Sequence, residues 1–161
     1  MSAAAEAKPL HLVVGATGGC GVHVVQLLHE RGAHIRAAVR NTTRAAALLP
    51  KSVDVVQASV IDAPSLIPAF EGAEYVLVAT GRRGGGESSK DVDFTGMKNV
   101  LNAVQAAGAC RRLVLITSGL VTRPGAPVNL LLNWIADHVS PHHLSEPAHA
   151  LRVLKYLECH C

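Results

Sequence analysis

Aromatic side chains are scarce: two tyrosines, two phenylalanines and one tryptophan in 161 residues. Proteins that hold single-stranded nucleic acid stack its bases on aromatic platforms, and a few scattered rings build none. The formal charge of +3 is too mild to supply a phosphate-binding surface instead, so nucleic acid is not an expected partner. A core without rings has to be made of Ala, Val, Leu and Ile. With 49% hydrophobic and 17% charged residues, the chain has enough apolar side chain for one domain of ordinary size.

Long apolar runs are missing too. The longest candidate, Val128–Val139, is interrupted by Asn129, Asn133, Asp137 and His138, and no stretch approaches the ~20 apolar residues of a membrane-spanning helix. No membrane association is expected. Residues 1–9 are alanine-rich, lack the charged-then-apolar order of a secretory signal, and read as a disordered N-terminal tail. Cys20, Cys110, Cys159 and Cys161 show no disulfide-scaffold spacing, which fits free thiols in a reducing cytoplasm. The late histidines (His138, His142, His143, His149 and His160) match no metal-ligand spacing, so no metal is expected.

What is present is alternation. Short apolar runs with strand character are followed repeatedly by helical patterns, which predicts an α/β fold on a parallel sheet. Strands are expected at Leu12–Val14, His34–Val39, Val53–Val56, Tyr75–Ala79 and Leu113–Thr117. Helices are expected at Gly21–Arg31, Thr42–Leu49, from an Asp62 cap to about Phe70, and at Val92–Ala107. Right-handed crossovers then give a doubly wound, three-layer Rossmann-type sheet of order 3-2-1-4-5. Residues 10–161 are read as one domain, irregular after about 120, with helices near Val128–His138 and from Pro147 to Glu158 and no sixth strand.

The densest chemical signal is Val13-Val14-Gly15-Ala16-Thr17-Gly18-Gly19-Cys20-Gly21, which closes a strand and opens a helix. The first glycine permits a tight turn, the second lets backbone approach a pyrophosphate, and the third lets the helix pack close to the sheet. The helix start adds unsatisfied N–H groups and a positive dipole end. Gly15, Thr17, Gly18, Gly19, Cys20 and Gly21 are therefore the expected phosphate contacts.

One further absence selects the nucleotide. NAD-selective folds place Asp or Glu about twenty residues past the glycines to hold the ribose hydroxyls, yet no acid occurs from Arg31 through Val53. Arg40 stands at that place, with Arg44 one helical turn on. A guanidinium fork there suits the 2′-phosphate of NADPH. Arg36, whose direction the strand pattern leaves open, reads as part of a solvated face.

The Gly-x-x-Gly-x-x-Gly spacing resembles the atypical NAD(P)-binding branch of the short-chain dehydrogenase/reductase superfamily. That branch includes NmrA-like proteins and flavin/biliverdin-IX-beta reductases. Similar patterns continue in Ala37-Ala38-Val39-Arg40, in Asp93-Phe94-Thr95-Gly96-Met97-Lys98-Asn99-Val100, and in Leu115-Ile116-Thr117-Ser118, so the resemblance covers about Leu10 to Leu120. It implies that Ala79, Thr80 and Gly81 border the nicotinamide ribose and that Thr117 lies on the cofactor side. Ser59 stands in for the usual Gly-Asp beside the adenine, where the chain has Ala58-Ser59. Relatives continue into a sixth strand and substrate loops, so the resemblance implies either a truncated product or a site that a second copy or a partner subunit completes.

The superfamily's common Tyr-x-x-x-Lys acid–base pair is absent: Ala79 and His160 stand four residues after Tyr75 and Tyr156. Ser118 matches the superfamily serine at the end of strand five, and His149 is a candidate proton donor because histidine titrates near neutrality. A strand-end hydroxyl that merely caps backbone is the alternative for Ser118. The mobile-looking run Arg82-Arg83-Gly84-Gly85-Gly86 follows strand four and is a candidate lid or a plain surface loop. Two functions follow. One is an NADPH-dependent reductase of a small conjugated or flavin-like acceptor; the other is an NADP(H)-binding redox sensor or scaffold without turnover.

Overall fold

The computed structural model describes residues 8–81, 88 and 90–116, and the backbone of 154–157. Strand β1 (Leu10–Val14) runs through the middle of the sheet, with β2 (His34–Val39) and β4 (Tyr75–Val78) parallel on either side. Outside them lie β3 (Asp54–Gln57) against β2 and β5 (Arg112–Ile116) against β4, also parallel. The order β3-β2-β1-β4-β5 is the one the sequence predicts.

Strand β1 is apolar without interruption from Leu12 to Val14 because both faces of the sheet are covered. Successive side chains alternate faces, and so they enter different cores. Leu12 and Val14 join Leu66, Phe70, Val76, Val78 and Val100 under helices α3 (Ala63–Phe70) and α4 (Gly96–Ala107). Val13 joins Val25, Ile35, Ala37, Val39, Ala45 and Leu49 under α1 (Gly19–Glu30) and α2 (Thr42–Leu48). Phe70 is the one aromatic ring in either core; the rest is aliphatic, as the composition requires. No helix among the described residues is long and apolar enough to cross a membrane.

The sheet differs from the expectation at its far edge. A sixth strand, β6 (Leu154–Leu157), stands next to β5, where the sequence reading has a helix from Pro147 to Glu158 and no strand. Four residues are too few to show a period, and the choice is made by a nonlocal factor: an edge strand offers a row of unpaired N–H and C=O groups to any segment that reaches it. The other expectations beyond Ile116, including the helix near Val128–His138, lie outside the described residues, as does the 1–7 part of the tail.

Three local features also depart from the pattern. Asp62 occupies the N-cap of α3 but makes no side-chain cap bond. The Ser65 hydroxyl serves the turn instead, donating to the Asp62 carbonyl at 2.6 Å and accepting from the Ser59 N–H at 2.9 Å. The helix expected from Val92 begins as a π-helical turn, Lys90–Thr95, before α4 proper. The Ser88 hydroxyl and the Asp91 carboxylate close its start at 2.7 Å.

Arg36 is not solvated surface. It lies opposite Asp54 in the β2–β3 register and donates from Nε to its carboxylate at 2.8 Å. Its Nη1 reaches the last carbonyls of α3, with Glu71 O at 2.7 Å and Ala69 O at 3.2 Å. Those carbonyls have no intrahelical donor, and Pro68 has already removed one N–H from this short helix. One guanidinium therefore closes a helix end and joins two strands. Arg36→Ala should lower stability in urea unfolding by about 1–3 kcal/mol, the cost of charged hydrogen bonds lost and carbonyls left bare. Asp54→Ala removes only a half-exposed ion pair and should cost less than about 1 kcal/mol.

Candidate functional site

The strand order reverses between β1 and β4, so their following loops leave toward opposite faces and open a crevice at the carboxyl edge of the sheet. The first wall is the β1–α1 loop. Gly15 has φ +81°, and a Cβ there would stand 2.8 Å from Ala79 O and 3.0 Å from Thr80 Cγ2. Only glycine combines that left-handed backbone with so close a pass across the end of β4. The Gly15 N–H donates to Ala38 O at 3.1 Å and the Ala79 N–H to Val14 O at 2.9 Å, pinning the loop to the strands on both sides. A Cβ on Gly21 would overlap the Gly15 carbonyl, so α1 sits directly on the loop.

Gly18 is different. Its φ of −75° and ψ of 167° are extended values open to any residue. A Cβ there would lie 3.1 Å from Gly15 O and 3.6 Å from Ala79 O, which a shift of a few tenths of an ångström relieves. Internal packing therefore explains Gly15 and Gly21 but requires Gly18 much less. A glycine that the fold itself hardly needs, at the mouth of a crevice, fits backbone kept bare for something that comes close.

That something is anionic by the electrostatics of the helix start. Gly18 is the N-cap of the 12-residue α1 and supplies no side-chain cap, and the first turn holds no acid. The first-turn N–H groups and the positive end of the helix dipole are left facing the crevice. Phosphate is the group such a terminus holds, and Gly15, Thr17, Gly18, Gly19, Cys20 and Gly21 make up the cradle that would hold it. Cys20 is a half-buried free thiol in that turn.

At the other end of the edge, Arg40 follows β2 directly and is exposed. Arg44 lies in the first turn of α2, its N–H bonded at 2.8 Å to the Asn41 carboxamide that caps the helix. The Ala58 N–H donates to Val39 O at 2.9 Å, which brings the Ser59 turn alongside. The nearest downstream acid, Asp54, is at the opposite end of β3 and is paired with Arg36. A negative group arriving beside Arg40 and Arg44 thus meets two positive side chains, in a stretch with no acid from Arg31 through Val53.

The structure brings the Gly15–Gly21 loop together with Ala79 and Thr80, which Gly81 follows in the chain, and puts Arg40, Arg44 and Ser59 on the same edge. Thr117, Ser118, His149 and the Arg82–Gly86 run lie outside the described residues. Tyr75 begins β4 at the amino edge, stacked on His11 with ring centroids 4.9 Å apart, and so stands away from the crevice. No group of metal-ligating side chains occurs among the described residues. Sequence reasoning missed Asn41, Ser65 and Asn99. Asn41 was visible as a cap residue before Thr42; Asn99 shares a helical face with Gly96, three residues earlier, but neither points to a partner without the fold.

Residues 15–156 match the model of the NAD(P)H-binding family. Among curated proteins, the photosystem II assembly factor of Synechocystis is 33% identical over 98 residues, 60% of this chain and 30% of that protein. Among solved structures, a short-chain dehydrogenase/reductase superfamily protein of Agrobacterium tumefaciens with bound NAD is 26% identical, with a TM-score of 0.58 over 73% of this chain and 36% of that one. An NADPH-dependent quinone oxidoreductase of Escherichia coli, complexed with NADPH, is 30% identical, with a TM-score of 0.54 over 65% and 35%. The chain spans between 30% and 44% of the length of the curated relatives it matches.

The different reasons for the three glycines can be separated by measurement. Gly21→Ala should lower thermal stability by about 1–3 kcal/mol through overpacking, and Gly15→Ala by about 1–2 kcal/mol through its left-handed backbone. Gly18→Ala should leave the melting transition nearly in place. Gly18→Val should keep the circular dichroism of the parent yet lose dinucleotide binding in calorimetric titration; retained affinity would remove the loop from the site.

Proposed function

The chain belongs to the NAD(P)H-binding family, and from that premise we propose that it takes NADPH and acts as a reductase of a small conjugated or flavin-like acceptor. The observation that carries the cofactor choice is the pair Arg40 and Arg44 at the end of β2, with no acid from Arg31 through Val53. When bound, the reduced nicotinamide would supply a hydride, one proton with two electrons, to the acceptor. The chain's own residues do the holding. The first turn of α1 and Gly18 bind the pyrophosphate, Arg40 and Arg44 fork onto the 2′-phosphate, and Ser59 borders the adenine. Ala79, Thr80 and Gly81 border the nicotinamide ribose, with Thr117 on the same side.

The acceptor class follows from what the chain lacks. Without the Tyr-x-x-x-Lys pair, the superfamily's usual proton donor to a carbonyl, the acceptor proposed is one that spreads the incoming charge over its own conjugated system. The Ser118 hydroxyl steadies it, and His149 or water supplies the proton that the reduced, anionic acceptor takes up. The NADPH-dependent quinone oxidoreductase among the similar structures supports this class of acceptor. A reducing cytoplasm suits the free Cys20 thiol, and a second copy or partner subunit is proposed to complete the acceptor side.

A second reading has its own support. The similarity to a photosystem II assembly factor favours an NADP(H)-binding sensor or scaffold in which binding, and not turnover, is the output. NADPH oxidation with quinones, flavins and linear tetrapyrroles separates the two. Turnover with at least one of them is expected, falling in Ser118→Ala with cofactor affinity unchanged. Binding without turnover across the panel would favour the scaffold.

The cofactor choice has a sharper check. A charge-assisted contact to the 2′-phosphate contributes roughly 1.5–3 kcal/mol, and each ~1.4 kcal/mol is about tenfold in affinity. Arg40→Ala combined with Arg44→Ala should weaken NADPH by roughly ten- to hundredfold and NADH far less. The preference of the parent should shrink with added salt, since exposed pairs are screened. Equal losses for both nucleotides would overturn the NADPH assignment.

A further inference from the structure

The turn after β3, Ala58–Asp62, is anchored from three elements. The Ala58 N–H holds it to Val39 O, the residue before Arg40, at 2.9 Å. Ser65 holds it to α3 through the Ser59 N–H and the Asp62 carbonyl. The third anchor comes from α4, where the Asn99 carboxamide donates from Nδ2 to the Val60 carbonyl at 2.8 Å. One helical turn earlier, Gly96 makes that approach possible: a Cβ there would stand 2.7 Å from Val60 Cγ2 and 3.0 Å from its Cβ. Val60 is buried at 7% exposure, and Asn99 is only partly exposed. The spacing of α4 from the turn is therefore set by one hydrogen bond and one missing methyl.

We infer that Asn99 is a positioning residue for the adenosine half of the cofactor, acting through the Val60 carbonyl to hold Ser59 against the end of β2; this rests on the NADPH reading above. A donor is needed because the partner is a carbonyl, and a short one because Gly96 brings the helix so near. Leucine has similar volume but no donor, and would leave the Val60 carbonyl without its side-chain partner. The turn would then lose its hydrogen bond to α4 while keeping Ser65, the Ala58 bond and the packing of Val60, and the wall beside Arg40 would loosen. The pyrophosphate cradle belongs to β1, α1 and β4, and none of the three anchors that hold the turn comes from it, so only one half of the nucleotide should feel the change.

The test uses the full chain with Asn99→Leu, and Gly96→Ala as a second variant that pushes on the same turn without touching the carboxamide. Amide hydrogen exchange of the ligand-free protein should speed up at Ser59–Asp62 and stay unchanged in the Gly15–Gly21 loop. In calorimetric titration, adenosine 2′,5′-bisphosphate should bind about tenfold more weakly to either variant, while inorganic pyrophosphate binds as before. In the reductase assay the KM for NADPH should rise with kcat preserved, a split that general destabilisation would not produce. Unchanged exchange at the turn, or an equal loss for bisphosphate and pyrophosphate, would overturn the positioning role while leaving the NADPH reading intact. A parent chain that binds neither NADPH nor the bisphosphate would overturn the NADPH reading itself, and with it any role of Asn99 toward the nucleotide.

Discussion

Close approach between α1 and the strand ends governs the rest of this molecule. Gly15 lets the chain pass across Ala79 and Thr80, and Gly21 lets the helix rest on the Gly15 carbonyl. Any side chain at either place would push α1 outward, take Val25 away from its core, and tilt the helix start off the crevice. The same contact that seats the helix therefore aims its free N–H groups. Packing and anion binding are consequences of one geometry, which is why a family defined by its ligand can also be recognised by its glycines.

Small side chains extend this logic across the sheet. Ala16, Ala37, Ala38, Ala45, Ala69 and Ala73 are all buried, so helices and strands meet through short side chains and the cores need few rings. Such interfaces leave little room for adjustment, because an added methyl meets backbone and not a side chain that can rotate aside. Polar groups are placed at the seams. Arg36 closes the end of α3, Ser65 closes its beginning, and Asn99 ties α4 to the turn that precedes α3.

Local signals in the sequence were sufficient for the five-strand order, the glycine loop and the four helices before Gly108, because each rests on a period or on a residue with special backbone freedom. The strand order 3-2-1-4-5 follows from alternation and handedness, which are written along the chain. Other features depend on partners distant in sequence. Arg36 reads as surface because its acceptors, Glu71 and Asp54, are known only once β2, β3 and α3 are assembled. Asp62 has the composition of a cap, but Ser65 competes for the same turn. Leu154–Leu157 becomes a strand because β5 has an edge to offer, a fact about the sheet and not about those four residues. On the candidate site, the glycine loop and the edge carrying Arg40 were legible, while Asn99 was not, since an amide on a helix does not announce which carbonyl it serves.

The central position of β1 also has a consequence in time. Its register with β2 joins Leu10 to His34 and Val14 to Ala38, whereas its register with β4 joins Val14 to Val78. During synthesis the first pairing is available some forty residues before the second. Through that interval a strand that is apolar on both faces has one bare edge and one uncovered face, the conditions under which nascent chains associate wrongly. A doubly wound sheet that begins at its own centre thus exposes its most central strand for longest on the ribosome, and its yield in the cell depends on how quickly the stretch from Asn41 to Val78 is delivered.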